Sequence, residues 1–296
     1  ETTSELSVLP VTMQTFYKRP LTDRESDDMA QLIGELAAIF VAPRKEDESD
    51  LGRPDRTSPA TSPYVTTPVF AGSQPEPAGF DMSTESVDRC LWLALLATDP
   101  EKVAATRKAL GSDDDGSQQL LNVGLIPALE VPAFSEEIGP RAAIPHIWEI
   151  TGTDERGKAI YFTLDVIEDS TAGLIQRGIQ RLALPATEFM QAPSNDVRRM
   201  VDAGVGDQPP RLDDPETAAR LVTWLRLRPD ARGQSQPPSV ALTWIGVNAV
   251  EIDQRTTVTG RLVGRSDGAA DQVIQLPGRS VQVETLRLQV EEKGRG

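Results

Sequence analysis

The chain has 296 residues, 39% of them apolar before its 22 glycines are counted, enough to bury the core of one large or two smaller domains. Lys plus Arg number 30 against 45 Asp plus Glu, and the resulting charge of −15 repels nucleic acid and anionic membranes. Aromatic residues reach only 5%, which disfavours large stacking platforms, and the single cysteine excludes an intrachain disulfide and leans towards a reducing compartment. Apolar runs such as Cys90–Ala97 fall well short of a membrane span, and no charged-then-apolar leader opens the chain.

In chain order, residues 5–17 (ELSVLPVTMQTFY) read as extended, with Pro10 at an edge or bend. Met29, Leu32, Ile33, Leu36, Ile39 and Phe40 recur at helical spacing behind Ser26-Asp27-Asp28, which predicts a helix over 26–41. Residues 43–79 are rich in proline, charge and small polar residues and read as a long loop, with Tyr64–Phe70 as its one short strand. Val87–Leu96 is a continuous apolar run of the kind found in buried strands. Asp99-Pro100-Glu101 supplies an N-cap, a proline at the first helical position and an acidic first turn for a helix ending at Gly111.

Leu120–Val131 reads as a strand interrupted by Pro127, and PHIWEIT (145–151) and KAIYFTLDVI (158–167) flank a hairpin loop over 152–157. Leu174–Leu184 alternates as a further strand, and 186–215 is a connection ending in a short helical turn near Asp214-Pro215-Glu216. Val222–Arg228 (VTWLRLR) is strand-like, and four β-type runs follow over Val240–Glu292 with a Ser266-Asp267-Gly268 turn in the middle. Many short strands, few helices and regular turns make the fold class mainly β: an antiparallel, jelly-roll-like β-sandwich with a few short helices and long loops.

No residue presents a specific signal for catalysis. His146 is the sole histidine, so a His–His metal site is impossible, and no Gly-x-Ser-x-Gly elbow accompanies it. Beside Trp148 it reads as a structural strand residue. Cys90 reads as a small core residue with no activating base nearby. Asp113-Asp114-Asp115-Gly116 lacks the spaced ligands of an EF-hand and reads as a solvated turn, as do Glu168-Asp169 and Asp213-Asp214. Gly204-Val205-Gly206 lacks the strand and third glycine of a phosphate loop. Trp92, Trp148, Trp224 and Trp244 fall in apolar or alternating runs, where core packing outweighs a sugar-stacking role. Catalytic, cofactor and metal residues are therefore assigned as none, and the chain reads as a non-enzyme.

The order of several stretches resembles the baseplate assembly proteins that carry a baseplate J-like region, wedge components of phage-tail-like contractile injection systems. The stretches are Glu1-Thr2-Thr3; Asp169-Ser170-Thr171-Ala172-Gly173-Leu174 with Arg177-Gly178; Trp224-Leu225-Arg226; and GVNAVEI, TVTGRLVGRSDG, ADQVIQL and SVQVETLRLQVEE in the C-terminal run. The family's N-terminal helical segment and glycine-rich J-like core have no counterpart here, so the chain resembles a central piece of such a protein. The resemblance implies a structural role without cofactors. It implies wedge, sheath and hub proteins of the same particle as partners, no nucleic acid, no membrane insertion, and assembly in the cytoplasm of the bacterial producer.

The expected organisation is an N-terminal strand and helix over 1–43 that joins the sandwich, a loop insertion over 44–79, the sandwich over 80–292 and a tail over 293–296. A carbohydrate-binding sandwich is the competing reading, which requires two or three aromatics exposed on one face.

Overall fold

The computed structural model describes residues 8–41, 64–112, 118–128, 142–155, 157–193, 195, 207–232, 238–252, 258–276 and 286–289. Among them, eleven strands form two antiparallel sheets, and helices are few and short apart from α1 (Asp23–Val41). The strands are β1 (Thr12–Pro20), β2 (Tyr64–Val69), β3 (Phe80–Asp81), β4 (Leu91–Leu96), β5 (Leu120–Pro127) and β6 (His146–Thr153). They continue as β7 (Ala159–Thr163), β8 (Val166–Asp169), β9 (Gly178–Ala183), β10 (Leu221–Pro229) and β11 (Ala241–Val247). Three further helices are α2 (Met82–Glu85), α3 (Val103–Leu110) and α4 (Pro215–Ala219). One sheet runs β2-β1-β4-β10-β6-β7 and the other β3-β11-β5-β9-β8.

The two orders contain a jelly roll in disguise. An eight-strand jelly roll has one sheet ordered first–eighth–third–sixth and the other second–seventh–fourth–fifth. Here β2-β1-β4-β10 and β3-β11-β5-β9 match both orders if β1 takes the eighth place, a circular permutation. The unit β6-β7-β8 is then an insertion between the fourth and fifth jelly-roll strands.

The permutation closes without a covalent link. Asn248, left-handed at φ 54°, ends β11 and turns its side chain onto the entry to β1. Its Oδ1 accepts from Leu9 N at 2.9 Å, while its Nδ2 donates to Leu9 O at 3.0 Å and Val11 O at 3.2 Å. An unpermuted jelly roll would continue the chain across this junction. Asn248→Ala removes all three bonds, and a loss of about 2 kcal/mol in urea-unfolding stability is expected.

The core lies between the sheets. Leu91, Leu93 and Leu95 of β4 meet Leu121, Val123 and Leu125 of β5 in one buried cluster. Because side chains alternate, Trp92, Ala94 and Leu96 of β4 face away and pack in a second cluster with Trp224 and Leu212. The all-apolar LWLALL run therefore marks a strand buried on both faces.

Several elements begin or end elsewhere than the residue pattern predicts. The helix starts at Asp23 rather than Ser26, because Thr22 and Glu25 form a capping box. Thr22 N donates to Glu25 Oε2 at 2.8 Å, and Glu25 N donates to Thr22 Oγ1 at 3.3 Å. Asp99 makes no side-chain cap; its carboxylate pairs instead with Lys102 at 2.7 Å. The strand expected from Leu174 begins at Gly178, after a turn. The single strand expected over 158–167 is two, in different sheets. Leu164 N still bonds Trp148 O at 2.9 Å, while Asp165 O already accepts from Ala183 N at 2.9 Å, so the chain changes sheets at that peptide.

The chain divides into two compact units, Thr2–Ile252 and Asp253–Gly296. β1 and β2 belong to the first, so the sandwich includes strands on both sides of residues 44–63, which lie outside the described residues. In the second unit the Ser266–Gly268 turn is present, with Gly268 N on Ser266 Oγ at 3.1 Å. Its described residues, 258–276 and 286–289, hold no strand; of the three runs expected there, the last, 280–292, lies outside the described residues except for 286–289. Alternation selects which face a strand would bury, but a strand forms only where a neighbouring ladder takes its backbone groups.

Candidate functional site

One row of side chains crosses the outer face of the six-stranded sheet, with one residue from each strand: Tyr64, Lys18, Trp92, Arg226, Glu149 and Tyr161. Register places Arg226 of β10 opposite Trp92 of β4 on one side and Glu149 of β6 on the other. Lys18 Nζ lies 5.2 Å from the Tyr64 ring centre and 5.4 Å from that of Trp92, and the Arg226 guanidinium lies 5.5 Å from Trp92 and 3.6 Å from Tyr161. Aromatic rings and cations thus alternate along the row until Glu149 and Tyr161 close it.

Each cation is paired. Lys18 Nζ sits 2.9 Å from Asp88 Oδ2, which also accepts from Trp92 Nε1 at 3.0 Å. Arg226 Nε donates to Glu149 Oε2 at 2.5 Å and Arg226 Nη1 donates to Asp207, while Arg228 Nε shares the same Glu149 oxygen at 2.8 Å. Burial pulls the Arg226 guanidinium down, but its bonds to Asp207 and Glu149 outweigh that and hold it well above its usual range. Lys18 is 1% exposed and Arg226 4%, values that unpaired charges would not sustain.

A strap, Asp207–Leu212, covers the row. Tyr161 Oη donates to Asp207 O, Lys18 Nζ to Gln208 O, and Arg211 N to Tyr64 Oη at 3.4 Å. Ala159 N donates to Gln208 Oε1 at 3.1 Å, and Asn195 clamps Leu212 at both its N–H (3.0 Å) and its C=O (2.8 Å). Gln208, Pro209, Pro210 and Leu212 are buried against the sheet.

Residue patterning missed this row, although a signal was present. Lys18 follows Phe16, and Arg226 follows Trp224, each by two positions, which puts the charge on the same strand face as the ring. A cation on an aromatic face of a strand that is apolar on its other side marks a buried polar device.

The residues singled out from sequence have structural places. Cys90 lies 2% exposed beneath the strap cluster, where burial pushes its thiol far up and Asp88 adds to the shift. The native thiol is expected to stay silent to Ellman's reagent and to release one equivalent once the chain is unfolded in guanidinium. Trp92, Trp148 and Trp224 are at most 2% exposed and present no ring to a sugar. Trp244 is half-buried over Gly124 and Gly246, with its Nε1 on Ser73 O at 3.0 Å. Glu168 pairs with Arg181 at 2.8 Å, Asp213 lies 3.6 Å from Arg211, and Asp214 caps α4 through Glu216 N and Thr217 N. The Asp113–Gly116 and Gly204–Gly206 runs lie outside the described residues.

His146 and Asp169 join a second network, this one between the sheets. Asp169 Oδ1 accepts from Thr171 N at 2.8 Å and from the Thr171 hydroxyl at 2.5 Å, and its Oδ2 accepts from Gly173 N at 2.9 Å. Burial pushes the Asp169 carboxyl up, and these bonds outweigh it and hold it below its usual range. The Thr171 hydroxyl receives Gln180 Nε2 at 3.2 Å. Gln180 of β9 then reaches across to β6. Its Oε1 accepts from Trp148 Nε1 at 2.7 Å, and its Nε2 meets His146 Nε2 at 2.9 Å, with His146 Nδ1 donating to Ile144 O at 2.7 Å. The Asp-x-Thr-x-Gly-Leu run is thus a locked turn that ties one sheet to the other.

Among the described residues no group of three or more His, Cys, Asp or Glu is placed to hold a metal, and no helix is long and apolar enough to cross a membrane. No family model matches the chain, and neither does any curated protein or solved structure.

Proposed function

We propose that the chain is a non-catalytic structural component of the baseplate wedge of a phage-tail-like contractile particle, assembled in the cytoplasm of the producing bacterium. In that role it joins wedge neighbours to sheath and hub. The observation that carries this reading is where the motif residues lie. Asp169–Gly178 forms the locked turn that joins the two sheets, and Trp224-Leu225-Arg226 lies in β10, paired on both sides by β4 and β6. Residues that set the resemblance serve as scaffold joints, which suits a protein that carries load between neighbours. Buried ion pairs on one sheet face and a satisfied polar joint between sheets favour one fixed geometry over a deformable one. The charge of −15 suits basic partner surfaces within a particle.

Immunogold electron microscopy of particles from the producing cell, with an epitope tag on this protein, tests the reading. Gold at the baseplate end of the sheath is the expected result. Particles that assemble and contract normally after deletion of its coding sequence would remove the proposal.

A further inference from the structure

The strap over the aromatic–cation row has the form of a bound peptide. Two consecutive prolines, Pro209 and Pro210, hold φ near about −65° and leave no N–H to satisfy, the property that suits proline-rich segments to aromatic-lined grooves. Each recognition element beneath has a matching group above. Arg226 takes the Asp207 carboxylate, Lys18 takes the Gln208 carbonyl, Tyr161 takes the Asp207 carbonyl, and the Ala159 N–H at the edge of β7 takes the Gln208 amide oxygen. Among the described residues no backbone–backbone hydrogen bond joins Asp207–Leu212 to the sheet; side chains supply the polar grip on all but Gln208 Oε1.

The chemistry of the row also makes the cover removable. A bare apolar face would be costly to uncover. Here lifting the strap hydrates Lys18 and Arg226, whose desolvation opposed closure, while Asp88 and Glu149 stay beside them as partners. The open groove is therefore wet, charged and ringed by Tyr64, Trp92 and Tyr161.

We propose that this row is a peptide-binding groove, filled here by the chain's own Asp207–Leu212, which accepts in exchange an extended segment of another protein carrying an acidic residue, a polar residue and a proline pair. The inference rests on the strap geometry and not on the particle role proposed above. A labelled peptide with the sequence of residues 207–213, DQPPRLD, is the probe, titrated by fluorescence anisotropy against the full chain. Asp207→Ala and, separately, Gln208→Ala weaken the strap, and Cys90 reactivity reports its opening. Both variants are expected to label faster at Cys90 and to bind the peptide at least tenfold more tightly than the wild-type chain. A peptide with asparagine for its first aspartate and glycines for its prolines is expected to lose at least tenfold. Variants with an unchanged circular dichroism spectrum and faster Cys90 labelling, yet no gain in peptide binding, would overturn the proposal. So would a dimer that forms with concentration and blocks the peptide, because the occupant would then be the strap of a second copy.

Discussion

Replacing Glu149 with alanine is expected to lower the unfolding free energy by about 3–5 kcal/mol, the range for breaking a buried ion pair from one side. Glu149 accepts from Arg226 Nε at 2.5 Å and from Arg228 at 2.8 and 3.1 Å, and its side chain is 8% exposed. Without it, Asp207 is the one carboxylate still paired with Arg226 among the described residues, and its side chain is 70% exposed and so is screened by water. The loss comes from a cation left buried rather than from the value of the pair itself. Hence the double variant Glu149→Ala, Arg226→Met should recover most of the stability, and a urea-unfolding cycle over both sites measures the coupling. A single-variant loss below about 1 kcal/mol would place the pair among ordinary surface bridges.

The same carboxylate gives a pH test. Burial pushes Glu149 up, but the hydrogen bonds from Arg228 and Arg226 outweigh it and hold the carboxyl below its ordinary 4.5. A carboxyl lower in the folded than in the unfolded state contributes its full stabilisation above the ordinary range, and loses it as pH falls through the folded value. Glu149→Gln has no proton to gain there. The stability gap between it and the wild-type chain should therefore stay constant from pH 7 to about 5 and narrow as pH drops below 4.5.

The sheets were readable where burial writes directly into composition. LWLALL in β4 and VTWLRLR in β10 announce strands because continuous or alternating apolar character follows from two buried faces or one. Boundaries set by a side chain bonding to backbone were less visible. Thr22 and Glu25 extend the helix by three residues, and Asp169 converts the expected start of β9 into a turn, yet neither changes the hydrophobic period. The opposite error occurred at 158–167. One alternating run holds two strands, because a change of sheet needs only one peptide to turn from Trp148 towards Ala183. In Asp253–Gly296 the pattern was present, but among the described residues no ladder accompanies it.

The candidate site was hidden for a different reason. Tyr64, Lys18, Trp92, Arg226, Glu149 and Tyr161 are scattered between positions 18 and 226, on six strands that only the sheet order brings side by side. Read singly, each is one residue on an apolar or half-apolar strand. Asp207 and Gln208 sit in a connection rich in proline and aspartate, where a strap looks like any other loop. The locked turn was nearer the surface of the sequence, since Asp169, Thr171 and Gly173 are local to one another. What the residues did not show is that Thr171 hands the network on to Gln180, Trp148 and His146 in the opposite sheet.

Gly173→Ala is expected to cost about 3 kcal/mol, from two causes that a double-variant cycle separates. Ala172, Gly173 and Leu174 are all left-handed, at φ 52°, 77° and 63°. A methyl group at the middle position adds the left-handed penalty of about 1–2 kcal/mol. It would also lie 2.4 Å from Ala143 Cβ, and overpacking of that kind adds about 1–3 kcal/mol. The segments cannot simply move apart, because Ile144 N bonds Gly173 O at 2.8 Å and Gly173 N bonds Asp169 at 2.9 Å. Adding Ala143→Gly removes the 2.4 Å contact, leaves a milder one of 3.1 Å to the Cα of residue 143 and keeps the backbone penalty, so the double variant should regain up to about half the loss. Ala172→Gly, one position earlier, adds no atom and relieves a left-handed alanine, and is expected to change stability by less than about 1 kcal/mol. The displaced Ile144 leads directly into His146 and Trp148, so the damage should reach the joint between the sheets. Tryptophan emission of Gly173→Ala under native conditions should shift to the red as the Trp148–Gln180 bond loosens, and an unshifted spectrum would show that the turn and the joint are independent.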